Sequence, residues 1–169
     1  HLLGGQRPDG REVCYYTPLR GKKFYFDFLG CCISSAPRAI ALVPSTCYLR
    51  GDDRLLVNML GASEVHTELP NGERPRVVQE TDYPFSDQVR ITAEAPQEVG
   101  YRLAIRIPPS ASRPVMRVDG EPFAGTLTPG KTVDVPVKSR TAIELELGFD
   151  WQIIRGTDIN EGFFALQWG

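Results

Sequence analysis

Tyr101-Arg102-Leu103-Ala104-Ile105-Arg106-Ile107 is the stretch that decides the fold. Tyr101, Leu103, Ile105 and Ile107 fall on one side of a period of two, with Arg102 and Arg106 opposite. That is how a strand with one buried and one wet face reads. Downstream, Thr132–Val137 repeats the pattern through Val133, Val135 and Val137, and Thr141–Leu147 through Ile143, Leu145 and Leu147. Upstream, Gln88–Glu94 places Val89, Ile91 and Ala93 on one face. Asn71-Gly72 and Asp119-Gly120 are hairpin dipeptides, the second flanked by Val115–Val118 and by Pro122-Phe123. Trp151–Ile154 and Phe163–Trp168 read as two more strands. With turn signals about every 8–12 residues, the pattern predicts a mainly β chain built as an antiparallel β-sandwich.

The first sixty residues read differently. Val13-Cys14-Tyr15-Tyr16-Thr17 and Lys23-Phe24-Tyr25-Phe26-Asp27-Phe28 are short, aromatic, β-prone runs parted by Arg20-Gly21. A serine cap with Pro37 in the first turn predicts one short helix over Ala36–Val43, ended or kinked by Pro44. Leu55–Leu60 then reads as a strand.

Composition removes several classes of function. Nineteen Lys and Arg against 21 Asp and Glu give a net charge of −2, so no basic patch calls for nucleic acid or an anionic membrane. No apolar run approaches the ~18–20 residues of a membrane span, and no signal peptide is visible. Sixteen Gly and 14 Pro in 169 residues fit a folded, turn-rich chain. The chain begins at His1, with methionine only at 59 and 116, which predicts a piece of a longer protein.

Four cysteines are too sparse for a disulfide framework. Cys14 and Cys47 read as small buried hydrophobes. The adjacent pair in Leu29-Gly30-Cys31-Cys32 leaves two readings open. Both can be packing, or, held in a turn, both thiolates can reach one soft cation such as zinc. Among other residues, His66 reads as an exposed strand histidine and Asp52-Asp53 as a turn. Glu80 and Asp82 read as solvated, and Arg38 as a surface arginine that could instead face a pocket. Trp151 and Trp168, in apolar strands, read as core; their exposure would favour a carbohydrate-binding module, since sugars stack on flat aromatics.

Several segments, taken in order, resemble one family. They are Cys14-Tyr15-Tyr16-Thr17-Pro18-Leu19, Gly30-Cys31-Cys32, Pro37-Arg38-Ala39-Ile40-Ala41 and Leu56-Val57-Asn58, followed by Thr81-Asp82-Tyr83-Pro84, Leu103–Pro108 and Val118-Asp119-Gly120. The set is similar to the β-L-arabinofuranosidase glycoside hydrolases of family 127 and its close relatives. The resemblance implies that residues 1–50 are the end of an (α/α)6 catalytic barrel and residues 51–169 a β-sandwich. It implies a retaining hydrolase of a plant-type glycan or oligosaccharide, with Cys31 as nucleophile and Cys31 and Cys32 as ligands of a zinc ion. The remaining zinc ligands and the acid/base carboxyl would come from the rest of the barrel. Two departures stand out: Ile33-Ser34-Ser35 replaces the family's Pro-Pro-Asn, and no tryptophan lies near Lys138-Ser139-Arg140. Without the resemblance, a non-catalytic carbohydrate-binding or purely structural sandwich accounts for the same strands.

Overall fold

A computed structural model describes residues 5–14, 21–25 and 30–169. The chain divides into two compact units, His1–Thr46 and Cys47–Gly169. In the first, Gln6 and Val13 form an isolated antiparallel bridge, with Val13 and Cys14 buried. The aromatic runs predicted there as strands lie largely outside the described residues, and residues 21–25 carry no regular structure.

Helix α1 spans Gly30–Cys47 and contains both Pro37 and Pro44. It starts six residues earlier and ends four later than the capping signals predict. A proline inside a helix removes one amide donor and crowds the preceding turn, yet hydroxyls elsewhere in the helix bond its carbonyls. Ser45 Oγ donates to the Leu42 carbonyl at 2.7 Å and Thr46 Oγ1 to that of Val43 at 2.9 Å. Both are bonds from a hydroxyl to the carbonyl three residues back, a local pattern that Ser and Thr side chains commonly adopt in helices.

The second unit is the sandwich. One sheet has the order β1 (Tyr48–Arg50), β2 (Arg54–Val57), β6 (Tyr101–Arg106), β9 (Thr132–Val137). The other runs β3 (Ser63–His66), β4 (Arg76–Glu80), β5 (Gln88–Glu94), β10 (Arg140–Glu146), β7 (Val115–Val118), β8 (Glu121–Pro122). All pairings are antiparallel except β2 with β6, which run parallel with Arg54 opposite Arg102 and Val57 opposite Ile105. Alternation shows which face is buried but not which neighbour lies alongside, so this pairing leaves no mark in the sequence. Strand β2 stops at Val57, short of the predicted Leu60. There the amides of Asn58 and Met59 turn to the Cys47 carbonyl, at 2.9 and 3.3 Å.

The inward residues of both sheets form one apolar cluster. Leu55, Val57, Leu103, Ile105, Val135 and Val137 come from one sheet, and Val77, Val89, Ile91, Ala93, Ile143 and Leu145 from the other. Each is at most 2% exposed. Burying one such Val, Leu or Ile side chain contributes about 1.5–3 kcal/mol, so the alternation is the main source of stability. Asp119 and Gly120 have φ of +51° and +85° between β7 and β8, the type I′ turn that Asp-Gly favours. The Asn71-Gly72 dipeptide instead sits inside a longer connection between β3 and β4.

The two predicted tail strands are present as β11 (Trp151–Arg155) and β12 (Phe164–Trp168), which pair as an antiparallel hairpin. Its burial is not as predicted. Trp151 is 68% exposed and Trp168 40%, with Ile153 and Leu166 also exposed. The hairpin forms its own two-stranded sheet, so its side chains do not enter the sandwich core. Trp168 packs edge-on to Phe149 at 6.0 Å and against Trp151 at 5.2 Å.

Candidate functional site

The cysteine pair lies in the first turn of α1, where Gly30 opens the helix. Cys31 is exposed. The two serines that follow tie this turn together. Ser34 Oγ donates to the Cys31 carbonyl at 3.4 Å, and Arg38 Nη2 donates to Ser35 Oγ at 3.1 Å and Ser34 Oγ at 3.5 Å. Positions 31, 34, 35 and 38 recur at the i, i+3, i+4, i+7 spacing of one helix face, and all four residues are exposed. Arg38 is therefore held by hydroxyls beyond the first turn, rather than standing at a helix N-terminus. The departure at Ile33-Ser34-Ser35 supplies those hydroxyls.

Two adjacent thiols are a soft donor set that suits zinc once deprotonated, and they are half of a four-ligand site. Among the described residues no group of three or more His, Cys, Asp or Glu side chains gathers to complete one. A metal here would need ligands from elsewhere. Cys14 is buried, as read, and Cys47 is half-buried at the end of α1.

Other singled-out residues have ordinary structural partners. His66 is exposed on β3 and meets Glu64, 2.8 Å away, which also binds Arg76 at 2.8 Å. The Arg76 and His66 contacts hold the Glu64 carboxyl below the usual glutamate range. Asp53 pairs with Arg102 at 2.8 Å, and that hydrogen bond lowers its pKa. Glu80 and Asp82 border an open depression of about 510 Å³ with Arg90 and Glu144, which pair with each other at 3.3 Å.

Two arrangements were not anticipated. Glu73 is fully buried, and its carboxylate accepts amides of Arg74 (2.9 Å), Gln97 (3.0 Å) and Gly100 (2.9 Å). Burial raises its pKa, but the backbone amides outweigh it and the net shift is downward. The second is a cavity of about 200 Å³ lined by Asn58, Met59, Leu60, Tyr83, Arg106, Pro108 and Pro109. Three of the segments that carry the family resemblance meet there, contributing Asn58, Tyr83 and Arg106 with Pro108. Their shared appearance in that resemblance was the available signal, but spacing along the chain could not show that they converge.

The sequence profile described as "Beta-L-arabinofuranosidase, GH127 middle domain" matches residues 54–151, and the chain belongs to that family. Among solved structures, a glycoside hydrolase superposes with a TM-score of 0.84 at 21% identity, over 99% of this chain and 31% of that one. A GH127 β-L-arabinofuranosidase from Geobacillus stearothermophilus T6 gives 0.81 at 24% identity, over 99% of this chain and 29% of that one. A GH127 β-arabinofuranosidase gives 0.81 at 18% identity, over 99% and 30%. The chain thus spans less than a third of the length of these structures. No curated protein matches it. Among the described residues no helix is long and apolar enough to cross a membrane.

Proposed function

We propose that the chain is part of a retaining glycoside hydrolase acting on β-L-arabinofuranosides of a plant-type glycan, with Cys31 as its nucleophile. Residues 1–50 then close an (α/α)6 barrel, and residues 51–169 are a scaffolding sandwich. The supporting observation is an adjacent cysteine pair in the first turn of α1, with Cys31 exposed, directly preceding a sandwich of the GH127 family.

Cys31 and Cys32 are the residues that would hold a zinc ion. Zinc thiolate ligation lowers a thiol's pKa well below its free value of about 8.5. Cys31 Sγ attacks the anomeric carbon as the bond to the leaving oxygen breaks. A carboxyl group from the rest of the enzyme gives that oxygen its proton. The same carboxylate then takes a proton from water, whose oxygen displaces sulfur and restores the thiolate. Two inversions leave the anomeric configuration retained. Ser34 steadies the backbone that carries Cys31, because its hydroxyl binds the Cys31 carbonyl.

The test uses the full-length enzyme and an inhibitor with an electrophile at the anomeric carbon. Fragmentation is expected to place the adduct on Cys31, and Cys31→Ser to remove nearly all turnover. An adduct on Cys32, or full activity in Cys31→Ser, overturns the assignment. The isolated 169-residue chain is expected to show no turnover above a Cys31→Ala control. It would lack the acid/base group, which is worth about 10²–10⁴-fold.

A second reading, non-catalytic carbohydrate binding, is favoured by one observation, the exposure of Trp151 and Trp168 on a hairpin face. Their rings are tilted by 50° to each other rather than coplanar, and Ile153 and Leu166 flank them. A glycan array on the chain separates the readings: retention that is lost in Trp151→Ala would support binding.

A further inference from the structure

The outward face of the four-stranded sheet carries a ladder of charges with one position left out. Arg54 donates to Asp134 Oδ1 from Nη2 at 2.7 Å and from Nε at 3.0 Å. Arg102 reaches the other oxygen, Oδ2, at 3.6 Å and pairs with Asp53 at 2.8 Å. Asp134 stands opposite Ala104 in the register, midway between Arg102 and Arg106 on β6. Both of its oxygens face Arg54 and Arg102. Arg106 forms no ion pair among the described residues, and its side-chain hydrogen bond goes to a neutral acceptor, Asn58 Oδ1, at 3.3 Å. A guanidinium carries five donors in a planar fork suited to a carboxylate.

Arg106 borders the cavity of about 200 Å³ described above. At ~30 Å³ per water that volume holds six or seven waters, room for one small ring and less than a drug-sized ligand needs. Its walls are tied to the body of the sandwich. The Cys47 carbonyl holds the Asn58 and Met59 amides, and the Tyr83 ring packs on Phe149 at 6.1 Å. The Pro108 carbonyl accepts the Ala111 amide at 3.1 Å. Tyr83, Pro108 and Pro109 supply apolar faces, Asn58 an amide, and Arg106 a cation with no ion pair among the described residues.

We infer that this cavity binds a small ring bearing a carboxylate, with Arg106 taking the carboxylate and Tyr83 and the two prolines enclosing the ring. The inference stands on the sandwich alone and does not depend on Cys31. Two sources share this chemistry, a uronic acid unit of a glycan and a free cyclic carboxylic acid.

The experiment is ligand-observed saturation-transfer NMR on the full-length protein with three probes: methyl α-D-galacturonoside, methyl α-D-galactoside and cyclohexanecarboxylate. The uronoside should bind at least tenfold more tightly than the neutral galactoside, which has CH₂OH in place of the carboxylate. Arg106→Gln should abolish that preference, whereas Arg102→Gln, on the same face but outside the cavity lining, should keep it. Cyclohexanecarboxylate binding as well as the uronoside identifies a general acid site; weaker binding identifies a uronate site. Equal binding of both galactosides, no binding of any probe, or an undiminished preference in Arg106→Gln overturns the inference.

Discussion

The buried carboxylate of Glu73 accepts the amide of Gly100 at 2.9 Å, tying two loops 27 residues apart. With the amides of Arg74 and Gln97 on the other oxygen, one side chain satisfies three backbone donors. Removing it would leave three part-buried donors without their acceptor.

Glu73→Ala should therefore destabilise the chain by on the order of 3 kcal/mol, and Glu73→Gln by less, because the amide keeps one acceptor oxygen. Since the folded pKa is lowered, the charged form contributes stability above the ordinary glutamate value of about 4.3. That contribution is lost as pH falls through the folded value. Urea titrations at pH 7 and pH 3 should show a smaller pH dependence in Glu73→Gln than in the parent. Equal dependence would show that Glu73 is not the group responsible.

The core offers a cleaner magnitude. Ile105 on β6 and Ile143 on β10 are fully buried. Ile105→Ala should cost about 2–5 kcal/mol, and Ile105→Val about 0.5–1.5 kcal/mol. Val115→Ala, at a position 55% exposed, should cost far less. Denaturant midpoints measure all three.

Gly120 tests the turn between β7 and β8. A Cβ there would meet nothing within 4 Å, so any penalty comes from its φ of +85° alone. Gly120→Ala should cost about 1 kcal/mol. Gly61→Ala, also in open space but without a positive φ, should be close to neutral. Paired thermal melts distinguish a backbone penalty from a steric one.

If Cys32 is a zinc ligand and not the nucleophile, Cys32→Ser in the full-length enzyme should chiefly lower bound zinc. Activity should fall in proportion and recover partly with excess zinc, because serine is a poorer ligand. Metal content by plasma emission spectrometry, set against turnover, checks this. Full zinc content with no activity would contradict it.

The sandwich was legible because alternation is a local property: Leu103, Ile105 and Ile107 announce an inner face wherever the strand lies. Asp119-Gly120 was legible for the same reason, since a type I′ turn is fixed by its own two residues. Partnership across the chain was not legible. Nothing in Arg54–Val57 points to Tyr101–Arg106 as a parallel neighbour, and nothing near Asn71-Gly72 marks Glu73 as the acceptor for Gly100. The helix was underestimated because Pro37 reads locally as a start signal and Pro44 as a stop signal, and the longer helix runs through both. Trp151 and Trp168 were misjudged because apolar strands were equated with burial. As for the site, Cys31 and Cys32 stood out as a pair, but their proposed chemistry depends on residues outside this chain.

The parallel pairing of β2 with β6 has a consequence for biosynthesis. Between those two strands the chain leaves the first sheet, lays down β3, β4 and β5 of the second, and returns. β9 then completes the first sheet, while β10 joins β5 to β7 in the second. No point between Val57 and Arg140 separates one finished sheet from the other, so a cut there leaves both sheets incomplete. During translation β5 and β7 lack their common neighbour until β10, which ends at Glu146, has left the ribosome. With so many distant pairings, closure should be slow relative to helix formation. Until then, chaperone protection matters most for β5, whose Val89, Ile91 and Ala93 must wait for their β10 partner.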